Sequence, residues 1–259
     1  MTATQQAIRA TAIKQGRISM AHMRLSMTAE REDTPSMRWG RLVHMAVLEP
    51  ERIDDLHVWA GPKRGRDYEA FAAEVAGQEY LRDGEKPKLE AIADSAMKAL
   101  ATLPAVYRSE AYFEWTDPLY GLACCRVDGI LTNGAMLEVK TCRKLSRRAF
   151  INQAYELGYH LQLGWYDHGI RRADYNGARW VLTIESGEPY CTALYRVPDH
   201  VIKAGYEEAA GIAAAYRACE ACGIFPGPYD NEVMDFELPE WANKAELDLT
   251  GLQEDDGNE

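Results

Sequence analysis

Cys125-Arg126-Val127-Asp128-Gly129-Ile130-Leu131-Thr132-Asn133-Gly134-Ala135-Met136-Leu137-Glu138-Val139-Lys140-Thr141 is the stretch on which the fold turns. Two β-prone runs flank Asn-Gly, a strong hairpin signal, and Thr132-Asn133-Gly134 fits a three-residue loop with glycine in the left-handed position. Such a loop pairs Leu131 with Ala135 and sets Asp128 directly opposite Glu138. Strand side chains alternate, so Arg126, Asp128, Glu138 and Lys140 are expected on one solvent-accessible face. Val127, Leu131, Leu137 and Val139 then form the apolar reverse. Opposed Cβ atoms lie roughly 5 Å apart. A two-residue loop would slip the register by one and place the acids on opposite faces, so the reading rests on the turn.

Two carboxylates and a lysine converging in the middle of a sheet suit a metal site. The residues alone leave a second reading open, an exposed face with cross-strand ion pairs.

Composition narrows the classes. With 259 residues, 47% of them hydrophobic, the chain can bury one sizeable core, an elaborated α/β domain. No apolar run approaches the roughly 20 residues of a membrane helix. Met1 to Gly16 is polar, without an apolar signal core. The six cysteines (Cys124-Cys125, Cys142, Cys191, Cys219-x-x-Cys222) lack the density of a secreted disulfide scaffold. A reduced, cytoplasmic protein is expected, with Cys219-x-x-Cys222 structural. The net charge of −11 argues against nucleic acid until its distribution is read. From Pro226 to Glu259 eleven acids face one base, Lys244, so that segment carries −10 and the body is nearly neutral. Within the body Arg143, Lys144, Arg147 and Arg148 follow the Glu-x-Lys strand, a basic cluster able to hold phosphate, though such clusters are also common on solvated faces.

Along the chain, Thr34-Pro35 reads as an N-cap followed by proline at the first helical position. It opens a helix over about Ser36–Glu49 that Pro50 stops. Further helices are expected at about Asp67–Ala76, Pro87–Leu103, Ala149–Ile170 (one continuous helix) and Asp199–Cys222. A strand at about Ala111–Trp115 precedes the hairpin, and a second hairpin joins Ala178–Glu185 to Tyr190–Val197. The domain plan is a helical N-terminal extension (residues 1–24), a main domain (25–225) and an acidic, irregular, partly disordered tail (226–259). Tyr155, Tyr159, Gln162 and Tyr166 fall on one helical stripe, either a half-buried aromatic face or a polar face turned to the acids. His44 lies one turn after Gly40, whose bare backbone would admit another chain or a substrate.

These pieces together resemble a family. Met37-Arg38-Trp39-Gly40-Arg41-Leu42-Val43-His44 with the exit Leu48-Glu49-Pro50-Glu51 is similar to the Gly-x-x-x-His helix of RecE-type exonucleases (exodeoxyribonuclease VIII-like) of the PD-(D/E)xK nuclease superfamily. Arg126-x-Asp128 resembles that family's Arg-x-Asp and Glu138-x-Lys140 its (D/E)-x-K. Gln162 to Tyr166 resembles the Gln-x-x-x-Tyr shared with RecB-type nucleases. Order and spacing agree over about Leu25–Ile170.

The resemblance implies a nuclease-like central mixed β-sheet flanked by helices, and a Mg²⁺- or Mn²⁺-dependent exodeoxyribonuclease acting on double-stranded DNA ends. Asp128, Glu138, His44 and the Val139 carbonyl would hold the metal. Lys140 would orient the attacking water, Gln162 and Tyr166 would position the DNA backbone, and Arg126 with Arg143, Lys144, Arg147 and Arg148 would hold phosphate. Glu110 matches a family acid less closely. Related enzymes with iron–sulfur clusters use four flanking cysteines; none precedes Cys124 here, so no cluster is expected. The relatives are phage and prophage end-resection enzymes that form rings around DNA and work with single-strand annealing proteins, which implies a homo-oligomer. The rival reading is a nuclease-fold protein that binds DNA or a partner without cutting.

Overall fold

Residues 6–30, 33–230 and 232–238 are described by the structure, a computed structural model. The chain runs β1 (Ile8–Arg9), α1 (Ala10–Gly16), α2 (Met20–Thr28), α3 (Pro35–Leu48), α4 (Glu51–Asp54), β2 (Val58–Trp59), α5 (Arg66–Glu74), β3 (Leu81–Arg82), α6 (Glu85–Leu100), β4 (Val106–Asp117) and β5 (Gly121–Leu131). It continues through β6 (Met136–Cys142), α7 (Arg147–Glu156), α8 (Tyr159–Arg171), β7 (Arg179–Glu185), β8 (Thr192–Arg196) and α9 (Asp199–Cys222). Two compact units divide it, Met1–Gly227 and Pro228–Glu259. All of these elements lie in the first. In the second, residues 228–230 and 232–238 are exposed and form no helix or strand, and residues 231 and 239–259 lie outside the described residues.

The turn at Thr132-Asn133-Gly134 forms as its residues dictate. Gly134 takes φ +76°, its N–H donates to the Leu131 carbonyl (2.9 Å), and Leu131 N–H donates to the Ala135 carbonyl (2.8 Å). The register follows, with Ile130 opposite Met136 and Gly129 opposite Leu137. A six-stranded mixed sheet grows from this hairpin: β6 pairs β7 in parallel, β7 pairs β8 antiparallel, and β4 runs antiparallel along β5. The other edge of β5 is divided. Near its start β1 pairs in parallel at Ala123 and Cys124, and near its end β6 pairs at Gly129 and Ile130. Between them Cys125–Asp128 has no strand neighbour on that side among the described residues, and β5 and β6 part as a fork.

Helices cover both faces. One apolar cluster joins Ile8, Ile13, Met23, Trp165, Ala209 and Tyr216 to Ala111, Cys125, Val127, Ile130 and Met136 of the sheet. The other joins Leu42, Val43, Val47 and Ile92 to Leu131, Leu137, Val139 and Leu182. Val127 therefore lies with the first cluster, not with Leu131, Leu137 and Val139 as alternation predicts. The alternation is lost beside Glu110, at φ +47°, across from Asp128 in the β4–β5 pair. Residues 1–24, set apart on sequence as an extension, include the edge strand β1 and helix α1, and Ile8, Ala12 and Ile13 are fully buried.

Local chemistry places most elements where the sequence puts them. Thr34 caps α3, its hydroxyl accepting from Met37 N–H (3.2 Å), and Pro35 opens the helix. The Leu-Glu-Pro-Glu exit anchors the helix end, because Glu49 accepts from the Ser109 hydroxyl (2.6 Å) and so ties α3 to β4 beside Glu110. The expected continuous helix over Ala149–Ile170 is two, broken at Gly158, which adopts φ +64° as the N-cap of α8. Tyr155 consequently leaves the stripe of Tyr159, Gln162 and Tyr166 and is exposed. Where α8 crosses α9, a Cβ on Gly205 would meet the His160 carbonyl oxygen at 2.0 Å, so the helices can touch only because this position is bare.

Candidate active site

The fork between β5 and β6 gathers the ionisable residues. The Asp128 carboxylate turns into the gap, and its Oδ2 accepts from Val139 N–H at 2.8 Å, a side chain standing where a ladder partner would be. Its Oδ1 lies 3.4 Å from Nδ1 of His44, carried in by α3 from one face of the sheet. Glu138 is met from the other face, where α8 brings Gln162, whose Nε2 donates to Glu138 Oε1; Lys140 Nζ donates to the same oxygen. The two acids are thus reached by helices from opposite faces, which corrects the expected single shared face. The strands part before Gly129 on β5 and after Leu137 on β6.

Accessibility is corrected as well. Glu138 is 1% exposed and Asp128 7% exposed, so the site is a buried cluster and not an open sheet surface. Burial decides the electrostatics. It drives the Glu138 carboxyl upward, Asp128 adds to the push, and Lys140 only partly offsets them, leaving Glu138 pushed up to about 7. Burial acts the same way on Asp128, but His44, Lys140 and the Val139 N–H outweigh it and hold Asp128 below the usual carboxylate range. Burial alone would lower His44 and Lys140, yet Asp128 raises His44, and Glu138 with Asp128 raises Lys140. Glu110 is raised by burial and by Asp128.

The geometry also tests whether a metal suits these residues. His44, Glu110 and Asp128 each present a ligand atom, all within 4.8 Å of one another. Glu138 lies outside that trio, but its Oε2 is buried without a hydrogen-bond partner. An unpartnered buried carboxylate oxygen is costly unless a cation or water completes it. An oxygen-rich set with one imidazole suits Mg²⁺ or Mn²⁺. The residues fit the ion.

Other expected residues fall less centrally. Tyr166 is buried in the first cluster, with Gln162 among the groups acting on its hydroxyl, so it backs Gln162 and does not face open solvent. Arg126 is exposed on β5, and Arg143, Lys144, Arg147 and Arg148 are exposed between the end of β6 and the first turn of α7. No backbone approaches Gly40; a Cβ there would meet nothing within 4 Å.

Two contributors escaped the sequence reading. Lys14, on α1, donates to Gln162 Oε1, and both Lys14 and Lys140 place their ammonium 5.1 Å from the Tyr159 ring centroid. No motif marks Lys14; the pairing of β1 with β5 and the packing of α1 on α8 bring it here. Asp167 and Arg179 form a second buried pair (2.5 Å), with Arg171 on the same carboxylate, fastening α8 to the start of β7. Their separation of twelve residues across a loop carries no periodic signal.

Known proteins share parts of this architecture. The family described as a PDDEXK-like domain of unknown function (DUF3799) matches residues 10–229. No curated protein matches the sequence. Among solved structures, a provisionally assigned exonuclease from Eubacterium rectale resembles the chain with TM-score 0.60 at 11% identity, covering 95% of this chain and 99% of its own. A phage-related exonuclease from Haemophilus somnus 129PT gives TM-score 0.39 at 10% identity, covering 85% and 97%. An alkaline exonuclease from Laribacter hongkongensis gives 0.34 at 12%, covering 71% and 96%.

Proposed function

The chain belongs to this PDDEXK-like family, and from that premise we propose that it is a metal-dependent exodeoxyribonuclease that hydrolyses double-stranded DNA from its ends. One observation carries the reading: the buried, unpartnered Glu138 Oε2 in the fork that also holds Asp128, His44 and Lys140. A protein that only binds DNA has no need to bury two acids and a lysine together, since that burial is itself costly.

In this proposal Asp128, Glu138, His44 and the Val139 carbonyl hold Mg²⁺ or Mn²⁺, with Glu110 a further oxygen ligand from β4. The bound ion supplies a water of lowered pKa and charge relief on the scissile phosphate. Lys140, held by Glu138, would orient the attacking water and stabilise the negative charge that develops on the phosphate. Gln162 fixes the Glu138 carboxylate through its amide N–H, and Lys14 fixes Gln162 in turn. Tyr166 backs Gln162. Arg126 and the Arg143–Arg148 segment hold the phosphates of the incoming strand. The biological setting that fits is phage or prophage end resection, with a homo-oligomer around DNA and a single-strand annealing protein as partner.

The test is direct. Purified protein is given end-labelled linear duplex, covalently closed circles and single strands, with and without Mg²⁺. Loss of linear duplex alone, only with metal, supports the reading. Rapid cutting of closed circles would make the protein an endonuclease, and tight binding without hydrolysis in any metal would leave the non-cutting rival.

A further inference from the structure

A second basic element lies outside the fork. Gly61-Pro62-Lys63-Arg64-Gly65-Arg66 runs from just after β2 into the first residue of α5, and every residue in it is exposed. Among the described residues no carboxylate pairs with Lys63, Arg64 or Arg66. Asp67 and Glu69 stand in the first turn of α5 and temper the local charge without engaging these cations.

The loop is not a loose surface segment. Trp59 stacks on Phe71 (centroids 4.9 Å, 30°) and tilts against Tyr68 (5.5 Å), while Phe71 meets Tyr80 edge-on (5.1 Å). The loop folds back onto this platform: Trp59 Nε1–H donates to the Pro62 carbonyl (3.3 Å), and a Cβ on Gly61 would meet the Trp59 ring at 2.9 Å. Gly65, at φ +87°, turns the chain into α5, a conformation that side chains disfavour. Three cations are therefore displayed from a braced turn, with less of the ordering cost that a floppy loop incurs on binding.

The platform is tied to the helix that carries His44. Lys63 and Arg38 both approach the Tyr80 ring, Lys63 Nζ at 5.5 Å and Arg38 Cζ at 5.2 Å from its centroid. Arg38 also donates to the Tyr80 carbonyl and to both Glu85 oxygens (2.9 and 2.8 Å), and Arg41 pairs with Glu79. Arg38 precedes His44 by six residues on α3, about 9 Å of helix at 1.5 Å per residue. Through Tyr80 and Arg38, Lys63 is therefore connected to the helix that carries His44, while lying outside the fork itself.

We propose that Lys63, Arg64 and Arg66 form a phosphate-binding clamp on the duplex outside the fork where the end is cut. This rests on the proposed exonuclease reading and adds to it a contact with the uncut stem. It acts from the α3 side of the sheet, while the Arg143–Arg148 segment leads into α7, whose Phe150 packs on the opposite face. Its chemistry is charge on phosphate, so it adds affinity and orientation without reading base sequence.

Counterion release supplies the measurement. Each phosphate neutralised contributes about 0.9 to the slope of log affinity against log salt, so three contacts give about 2.7. Binding of a 30-base-pair duplex is followed by fluorescence anisotropy in Ca²⁺ across a salt series. The variants are Lys63→Glu/Arg64→Glu/Arg66→Glu and its milder form with glutamine at all three positions. A charge-matched control, Lys88→Glu/Lys98→Glu/Lys203→Glu, alters exposed lysines on α6 and α9. The expected result is a tenfold or greater loss of affinity at low salt and a slope smaller by 2 to 3 for both loop variants, against little change in the control. Equal slopes in the loop variants and the wild type, or an equal drop in the control, overturn the clamp. Wild-type protein that digests linear duplex while the loop variants keep their slope removes this proposal alone. Wild-type protein that neither binds nor digests duplex removes the exonuclease reading.

Discussion

At the fork of β5 and β6 charged atoms are buried and cross-bonded; along residues 61–66 and 143–148 they face water. The contrast separates two physical demands. Hydrolysis needs a few groups held in fixed geometry with shifted proton affinities, and burial supplies both. Holding a polyanion needs only a density of cations near a groove, and burial would work against it. Substitutions in the first region should therefore act as thresholds, and those in the second as graded, salt-dependent steps.

The largest expected effects test the threshold. Asp128→Asn, Glu138→Gln and Lys140→Met keep the shapes of the side chains and should each lower cleavage of linear duplex by about 10³-fold, the scale of losing one preorganised charged group. Calorimetry with Mn²⁺ should show metal binding weakened by the first two and largely spared by the third. The buried geometry adds a stability consequence that an open sheet face would not have. Lys140→Ala strips the charged partner from Glu138, and breaking a buried pair costs about 3 kcal/mol or more, discounted here because Lys140 keeps 15% side-chain exposure. Its thermal midpoint, and that of Lys140→Met, which removes the same charge, should fall below that of the wild type. Unchanged midpoints would show that the fork is wetter than its burial implies.

Next in size is a proton linkage. In the metal-free protein Glu138 is raised to about 7, above the ordinary carboxylate value, so between those values the folded state holds a proton the unfolded chain has lost. Glu138 accordingly contributes stability below its unfolded value, and this is lost as pH rises through about 7. Mn²⁺ needs the carboxylate, so its affinity should climb between pH 6 and 8, by up to about tenfold per unit, with protons released on binding. Calorimetry in buffers of different ionisation enthalpy reads the release directly, and a pH-independent affinity would contradict the assigned role of Glu138.

A smaller loss is expected behind the ligands. Gln162→Ala removes a hydrogen bond to a charged carboxylate, worth about 1.5 to 3 kcal/mol, or roughly ten- to a hundredfold in rate. Lys14→Ala acts one step further out and should cost less. If both variants keep wild-type kcat, the chain from α1 through Gln162 to Glu138 has no part in catalysis.

How much of this the sequence discloses follows the same division between local and long-range physics. The turn at Gly134, the cap at Thr34 and the limits of α9 are set by nearest neighbours, and all three stand where composition and spacing place them. The motifs also mark polar residues that the fold brings together: Asp128, Glu138, Lys140, His44 and Gln162 converge. What spacing cannot show is the divided edge of β5. Pairing of the two-residue strand β1 depends on contacts more than a hundred residues apart, and with it come Lys14 and the gap that Asp128 fills. The break at Leu157-Gly158 is hidden because the apolar stripe continues across it and the glycine is tolerated in either structure. Glu110 sits at an irregular, positive-φ position that alternation places poorly.

The smallest effects belong to the exposed segment after β6. Arg143→Gln, Lys144→Gln, Arg147→Gln and Arg148→Gln, made singly, should leave the thermal midpoint unchanged, because none of these side chains is buried. Each removes at most one phosphate contact, so each should lower the salt slope of duplex binding by about 0.9 and weaken binding only a few-fold near physiological salt. The steps should add when combined, since solvated cations on one polyanion couple weakly. Such additivity is the signature of a solvated surface, whereas the fork should show strong non-additivity between Asp128 and Glu138, whose proton affinities already depend on each other. A single arginine substitution there that abolished cleavage at every salt concentration would mean that this residue belongs to the fork's chemistry and not to the docking surface.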